Sequence, residues 1–127
     1  MASAPVYRVG IDMGWLWQVS MTDLAPAPGT SQGVWVQYTD QSGKPVPIDG
    51  LKITWGLDIA LGTDAIGSDG NRTPTRYTGA DATSSSLMFY LDYPTSVTSG
   101  GGRATNILTT HASARADDSV VVWVAYQ

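Results

Sequence analysis

The chain has 127 residues, a formal net charge of −4 at pH 7 and no cysteine. A nucleic-acid-binding surface needs clustered basic residues around the phosphates, and the arginines of this chain are scattered, so we expect no nucleic-acid partner. The lack of cysteine excludes disulfides and thiol chemistry, and no apolar run reaches the roughly 18 residues of a membrane-spanning helix.

The composition favours strands over helices. All eleven acidic residues are aspartate, whereas glutamate and lysine are the charged residues that suit exposed helix faces. Fourteen glycines and seven prolines supply residues for turns. We therefore expect one all-β domain over residues 1–127, with synthesis in the cytoplasm because the N-terminal stretch lacks a secretory signal pattern.

The first alternating segment, residues 6–21, is long for one strand of a small domain, so we expect a bulge or bend at Gly10 or Gly14. A connector rich in proline and glycine, 23–33, leads to the next predicted strand at 34–39.

The third segment, "LKITWGLDIAL" at residues 51–61, has an apolar residue at every odd position. Such strict alternation predicts a strand with one buried face, and it places Trp55 near the centre of the core. Lys52 and Asp58 are expected on the outer face.

The second half of the chain is less regular. Polar stretches at 62–74 and 94–104 are interpreted as loops. Further strands are predicted over 75–78, 86–93, 105–112 and 119–127. The last of these is apolar on both faces, so we expect it to lie centrally in a sheet or to be covered by another subunit.

About seven strands separated by turns predict a two-sheet antiparallel β-sandwich of Ig-like or jelly-roll type. The stretch "VQYTDQSGKPVPIDGLKITW" at 36–55 resembles a segment of bacterial Ig-like domains, in which a strand ends in Asp, a glycine turn follows and Pro-Val leads into an aliphatic strand. The resemblance implies an Ig-like hairpin. In size, all-β composition and lack of cysteine, the chain is also similar to accessory proteins of tailed-phage particles, such as capsid decoration subunits and tail modules.

Signals for catalysis or metal binding are weak. His111 is the single histidine, and no nucleophile signature accompanies it or Ser113, so we expect no enzyme activity and no catalytic residue. Asp64, Asp69 and Asn71 offer oxygen ligands of the kind that Ca²⁺ prefers, but the same residues are common in exposed turns. We expect neither a metal nor a cofactor.

The aromatic residues carry more information about function. Trp15, Trp17 and Trp55 follow the apolar positions of their segments and are assigned to the core. Residues on the opposite faces of their predicted strands are candidates for contact with a partner: Trp35, Tyr90, Val121 and Trp123.

Two functional hypotheses follow. In the first, the chain is a non-enzymatic structural protein of a virus particle, a phage, where apolar strand faces contact identical subunits and a major capsid or tail protein. In the second, it is a β-sandwich that binds a carbohydrate or receptor, such as a host-surface glycan, through exposed aromatics and polar loops. Under neither hypothesis do we expect the protein to bind nucleic acid or a membrane. The first hypothesis places the protein in the virion.

Overall fold

The computed structural model describes residues 8–10, 16–19, 25–40 and 42–126 of the chain. Within these ranges the regular structure is almost entirely β, as predicted, with one short 3₁₀ helix over Gly79–Thr83. The strands are β1 Arg8–Gly10, β2 Leu16–Val19, β3 Ser31–Thr39, β4 Lys52–Ala60, β5 Thr75–Thr78, β6 Phe89–Leu91, β7 Thr95–Val97, β8 Arg103–Thr110 and β9 Ser119–Tyr126. No helix in these ranges is long and apolar enough to cross a membrane.

The strands form two antiparallel sheets. In the five-stranded sheet, β1, β2, β3, β8 and β6 lie side by side in that order. The four-stranded sheet has β4 at its centre. β9 pairs with residues 53–60 along one edge of β4. The opposite edge of β4 is shared by two strands, since β5 pairs with residues 56–59 and β7 pairs with residues 52–54. The two-sheet antiparallel sandwich is confirmed, and in the described residues the closing strand pairs with β4 alone.

The core lies between the sheets and is built from the inward residues of both. The five-stranded sheet contributes Val34, Val36, Tyr38, Phe89, Leu91, Ala104 and Leu108. The four-stranded sheet contributes Ile53, Trp55, Leu57, Ile59, Val120, Val122 and Val124. The alternation of 51–61 therefore predicts the buried face of β4 correctly, and Trp55 is fully buried.

The strand number differs from the prediction, since nine strands lie in the described residues. β1 and β2 pair antiparallel with Val9 opposite Trp17, so the chain reverses direction between Gly10 and Leu16. The interpretation of 6–21 as one bent strand is wrong. Both arms of a hairpin place alternate residues on the same face, so the alternation alone does not distinguish one strand from two.

Two of the tryptophans assigned to the core fall in this part of the chain. Trp15 lies outside the described residues, and for Trp17 the description covers the backbone alone. Their assignment to the core stays a prediction.

The second additional strand, β7, lies within 94–104, which the sequence predicts to be a loop. Two of its three residues are polar, and it is a strand because it pairs with β4, with Ser96 opposite Ile53. The amide of Thr98 continues this pairing by donating to the carbonyl of Leu51 at 2.9 Å. A tertiary partner, rather than local propensity, decides the conformation here.

A tight turn follows β3 in the stretch that carries the Ig-like resemblance. The Oδ1 of Asp40 accepts hydrogen bonds from the amide and hydroxyl of Ser42, at 2.9 and 2.7 Å, and from the amide of Lys44 at 3.0 Å. Gly43 has a φ of 87°, and Thr39 pairs with Pro45 across the turn. The hydroxyl of Ser42, followed by the amide of Lys44, lowers the pKa of Asp40 below its ordinary value of 3.8.

Candidate functional site

The outer face of the four-stranded sheet carries Trp123. The pairing of β9 with β4 places Trp123 opposite Gly56, and its neighbour two residues earlier, Val121, opposite Asp58. Because residues paired across an antiparallel ladder share a face, the indole lies over the bare backbone of Gly56. A Cβ built on Gly56 would overlap the benzene ring of this indole. The indole Nε1–H donates to Asp58 Oδ1 at 3.0 Å.

Arg76 covers this indole and bonds to the same aspartate. It lies on β5 opposite Asp58, and its Nε and Nη2 donate to the two carboxylate oxygens at 2.8 and 2.9 Å. Its guanidinium carbon is 4.6 Å from the centroid of the Trp123 ring, which is a cation–π geometry. We call Gly56, Asp58, Arg76 and Trp123 the tryptophan clasp.

The clasp leaves the indole of Trp123 only 7% exposed. The sequence places Trp123 on the outer face, and it lies there, but side chains of its own chain cover it. Its role as a subunit contact stays a prediction, and a partner on this side would meet Arg76 and the half-buried Val121 before the indole.

Trp35 occupies the outer face of the five-stranded sheet. It is half-buried and lies opposite Thr105 on β8. The guanidinium carbon of Arg103 lies 4.1 Å from the centroid of the ring. Arg103 is held in this position by Nε–H, which donates to Gln37 Oε1 at 3.1 Å. Gln37 donates in turn to the carbonyl of Gly101 at 2.9 Å.

Other apolar side chains share this face with Trp35. Tyr90 lies opposite Thr109, and Ile107 lies opposite Gly33. Outside its chain neighbours, no atom lies within 4 Å of a Cβ built on Gly33, so the space above this glycine is open. We call Gly33, Trp35, Tyr90 and Ile107 the outer aromatic face.

The candidate contact residues therefore fall on two surfaces, with Trp35 and Tyr90 on one sheet and Val121 and Trp123 on the other. The sequence-based selection missed Ile107, which is 36% exposed. The alternation of 105–112 indicates the outward position of Ile107, because the adjacent Leu108 is in the core and successive residues of a strand point to opposite faces.

A depression lies where β7 and β8 separate to join different sheets. Next to the turn, the backbones of Ser99 and Arg103 pair, with N–H···O distances of 2.7 and 3.2 Å. Beyond this pair, β7 joins β4 and β8 joins β3. The space between them has a volume of about 430 Å³ and is lined by Tyr93, Thr95, Ser96, Val97, Ser99, Arg103, Ala104 and Thr105.

The far end and the floor of this depression are closed by hydrogen bonds. Asn106, buried to 2% exposure, donates from Nδ2 to the carbonyl of Tyr93 at 2.9 Å and accepts from the amide of Tyr93 at 3.1 Å. On the floor, Ser96 Oγ accepts from the Nε1 of Trp55 at 2.8 Å and donates to the carbonyl of Thr105 at 3.3 Å. These bonds hold the two strands that border the depression in place.

The candidate catalytic and metal-binding residues occupy turns. His111 Nδ1 lies 2.8 Å from Ser113 Oγ and accepts from the amide of Ser113 at 3.1 Å, and both residues are exposed. Asp64 Oδ2 accepts from the amide of Leu61, and Asp69 Oδ1 from the amide of Asn71.

Histidine and acidic side chains do not converge in the described ranges. No group of three or more that could hold a metal ion occurs among those residues. One carboxylate oxygen of Asp64 and one of Asp69 accept a backbone amide within a turn, which is the ordinary role of such residues.

Comparisons with known proteins do not assign a family. No protein-family model matches the chain, and no curated protein or solved structure matches it either. The functional argument therefore depends on the surfaces described above.

Proposed function

We propose that the chain is a non-enzymatic structural protein of a virus particle, a phage, and that it decorates or cements a capsid or tail lattice through its outer strand faces. The observation that carries this proposal is the outer aromatic face. The core between the sheets is complete without Trp35, Tyr90 and Ile107, yet these residues lie together on the opposite side of the five-stranded sheet.

The physical character of this face suits contact with another protein. Aromatic residues and arginine are enriched in protein interfaces, whereas isolated charges are depleted at their centres. Trp35 is stacked under Arg103, and Arg103 is anchored to Gln37, so the ring is ordered before a partner arrives. The space above Gly33 gives a partner side chain a place to enter.

The proposed partners are identical subunits and a major capsid or tail protein. The assignment to a phage particle rests on the small size, all-β composition and absence of cysteine in the chain. A second candidate function, binding of a host-surface glycan, is favoured by one observation, the depression lined by hydroxyl-bearing residues and Tyr93.

The test is to purify phage particles from lysates of cells that carry the gene and to measure the copies of the chain per particle by mass spectrometry. The proposal predicts a fixed number of copies and loss of the chain from particles in the variant Ile107→Ser. The matched control is Ile66→Ser, because Ile66 is 61% exposed in the loop after β4. Absence of the chain from the particles, or equal incorporation of both variants, would contradict the proposal.

A further inference from the structure

The depression between β7 and β8 is suited to a compact ligand. Its two ends are closed by the Ser99–Arg103 backbone pair and by the side chain of Asn106, which bonds the backbone of Tyr93. An added β-strand needs about 3.3 Å of open edge for each residue, and β7 has only three residues, so its free edge is short for strand addition. A volume of about 430 Å³ lies within the range of small-molecule sites.

Its walls offer many hydrogen-bonding groups. The hydroxyl of Ser96 is used by its hydrogen bonds to Trp55 and Thr105 on the floor. The other lining residues with hydroxyl groups that a ligand could contact include Thr95, Ser99 and Thr105. Backbone groups add to them. In an antiparallel pair, alternate residues direct N–H and C=O toward the partner strand, and Thr98 does so toward β4. Thr95 and Val97 therefore direct their backbone groups away from β4, along the edge that borders the depression.

The depression also has an apolar wall. Tyr93 is 52% exposed and Val97 is 56% exposed, so both present apolar surface to solvent at the depression. A sugar ring has hydroxyl groups at its rim and C–H groups on its faces. Hydroxyl donors and acceptors beside one aromatic ring are the complement of such a molecule.

Arg103 is the one charged residue among those that line the depression. Its Nε is bonded to Gln37 and its guanidinium plane stacks on Trp35, so its position is fixed. Neither contact uses the two Nη groups. A guanidinium whose Nη donors are not engaged by these two contacts matches a carboxylate, so the electrostatics favour an anionic ligand over a neutral one.

We infer that the β7–β8 depression binds an acidic sugar residue of a glycan, with its carboxylate on Arg103 and its ring against Tyr93. The inference rests on the second candidate function, and its aromatic contact, Tyr93, lies outside the outer aromatic face. This inference names the class of ligand, the site that binds it and the side chains that contact it.

The test is a titration of the ¹⁵N-labelled chain with sodium glucuronate and, separately, with glucose, followed by amide chemical shifts. Glucose has the same ring without the carboxylate. We expect shifts at residues 93–99 and 103–106, with a lower Kd for glucuronate than for glucose. Equal affinity for the two sugars, or shifts confined to other parts of the chain, would overturn the inference.

Variants then separate the site from the fold. Tyr93→Ala should raise the Kd for glucuronate about tenfold or more, as for the loss of a central aromatic contact. Arg103→Gln should remove the preference for glucuronate over glucose. The control Ile66→Ala should bind as the parent chain does, and the amide spectrum of each variant reports whether it is folded.

The assembly proposal is measured separately by incorporation into particles. Tyr93 lies outside the outer aromatic face, so Tyr93→Ala should weaken sugar binding as stated above and leave incorporation unchanged. A folded Tyr93→Ala chain that binds glucuronate with the parent Kd would overturn the inference without affecting the assembly proposal.

Discussion

The indole of Trp123 occupies the space that a Cβ on residue 56 would fill, so the missing side chain of Gly56 is what lets the tryptophan clasp close. Trp123 then reaches Asp58 with its Nε1–H at 3.0 Å, and the guanidinium carbon of Arg76 lies 4.6 Å from the ring centroid. One glycine thus controls how much aromatic surface the four-stranded sheet exposes.

Gly56→Ala should destabilise the chain by about 1–3 kcal/mol, the usual cost of forcing an extra methyl group into a packed site. The new Cβ would overlap the indole, so Trp123 would have to move away from Asp58. Urea unfolding gives the change in free energy. Gly33→Ala is the matched control on the other sheet, because open space surrounds that position, and it should change stability by less than about 0.5 kcal/mol. Equal effects would contradict the described contact.

Asp58→Ala should cost more than Arg76→Ala. Asp58 accepts from both Trp123 and Arg76, and loss of hydrogen bonds to a charged group costs about 1–3 kcal/mol. The side chain of Arg76 is 59% exposed, so removal of its ion pair should cost less than about 1 kcal/mol. Thermal and urea unfolding of the two variants provide the comparison. The reverse order would mean that Arg76 contributes mainly through its packing on the ring.

The Nε1–H of Trp55 is satisfied by Ser96, although the ring itself is fully buried. Trp55→Ala should cost about 3–5 kcal/mol, as for other large aromatic truncations in cores. Ser96→Ala leaves the ring in place and removes its acceptor, at a cost of about 1–3 kcal/mol. Lys52→Ala, on the exposed face of the same strand, is the control and should be close to neutral. If Ser96→Ala is as mild as the control, the indole finds another acceptor.

The turn after β3 should lose its support in acid. The pKa of Asp40 is lower in the folded chain than its ordinary value of 3.8, chiefly because the Ser42 hydroxyl bonds its carboxylate. A lowered folded-state pKa means that this contribution to stability is complete above about pH 3.8 and is lost as the pH falls through the folded-state pKa. Ser42→Ala should raise the pKa of Asp40 toward the ordinary value. Carboxyl ¹³C shifts followed by NMR against pH measure this directly, and an unchanged pKa would show that the hydroxyl is not the main cause.

The two outer tryptophans should behave differently when each is replaced by glutamine. Trp123→Gln removes a ring that is 7% exposed, so a loss of stability approaching the roughly 3–5 kcal/mol of buried aromatic truncations is expected. Trp35 is half-buried, so Trp35→Gln should cost less stability and act mainly on assembly. Urea unfolding and sedimentation velocity separate the two effects. A folded Trp123→Gln chain with lost assembly would instead support Trp123 as a subunit contact.

The alternation of β4 and of the strands around it is enough to predict the all-β class and the inward residues. In a strand, successive side chains point to opposite faces, so a period of two in the sequence identifies the buried face directly. Trp55, Val34 and Phe89 are in the core for this reason. The same rule does not give the number of strands, because β1 and β2 continue one alternation through a reversal of the chain.

What lies on the outer faces was decided by tertiary structure. The sequence indicates that Trp35 and Trp123 both point away from the core, but it does not show that Arg76 and Gly56 enclose one of them. These contacts join residues far apart in the chain, and which residues meet depends on strand order and register. Likewise, β7 is a strand only because it pairs with β4. The depression exists only because β7 and β8, which flank the same turn, belong to different sheets.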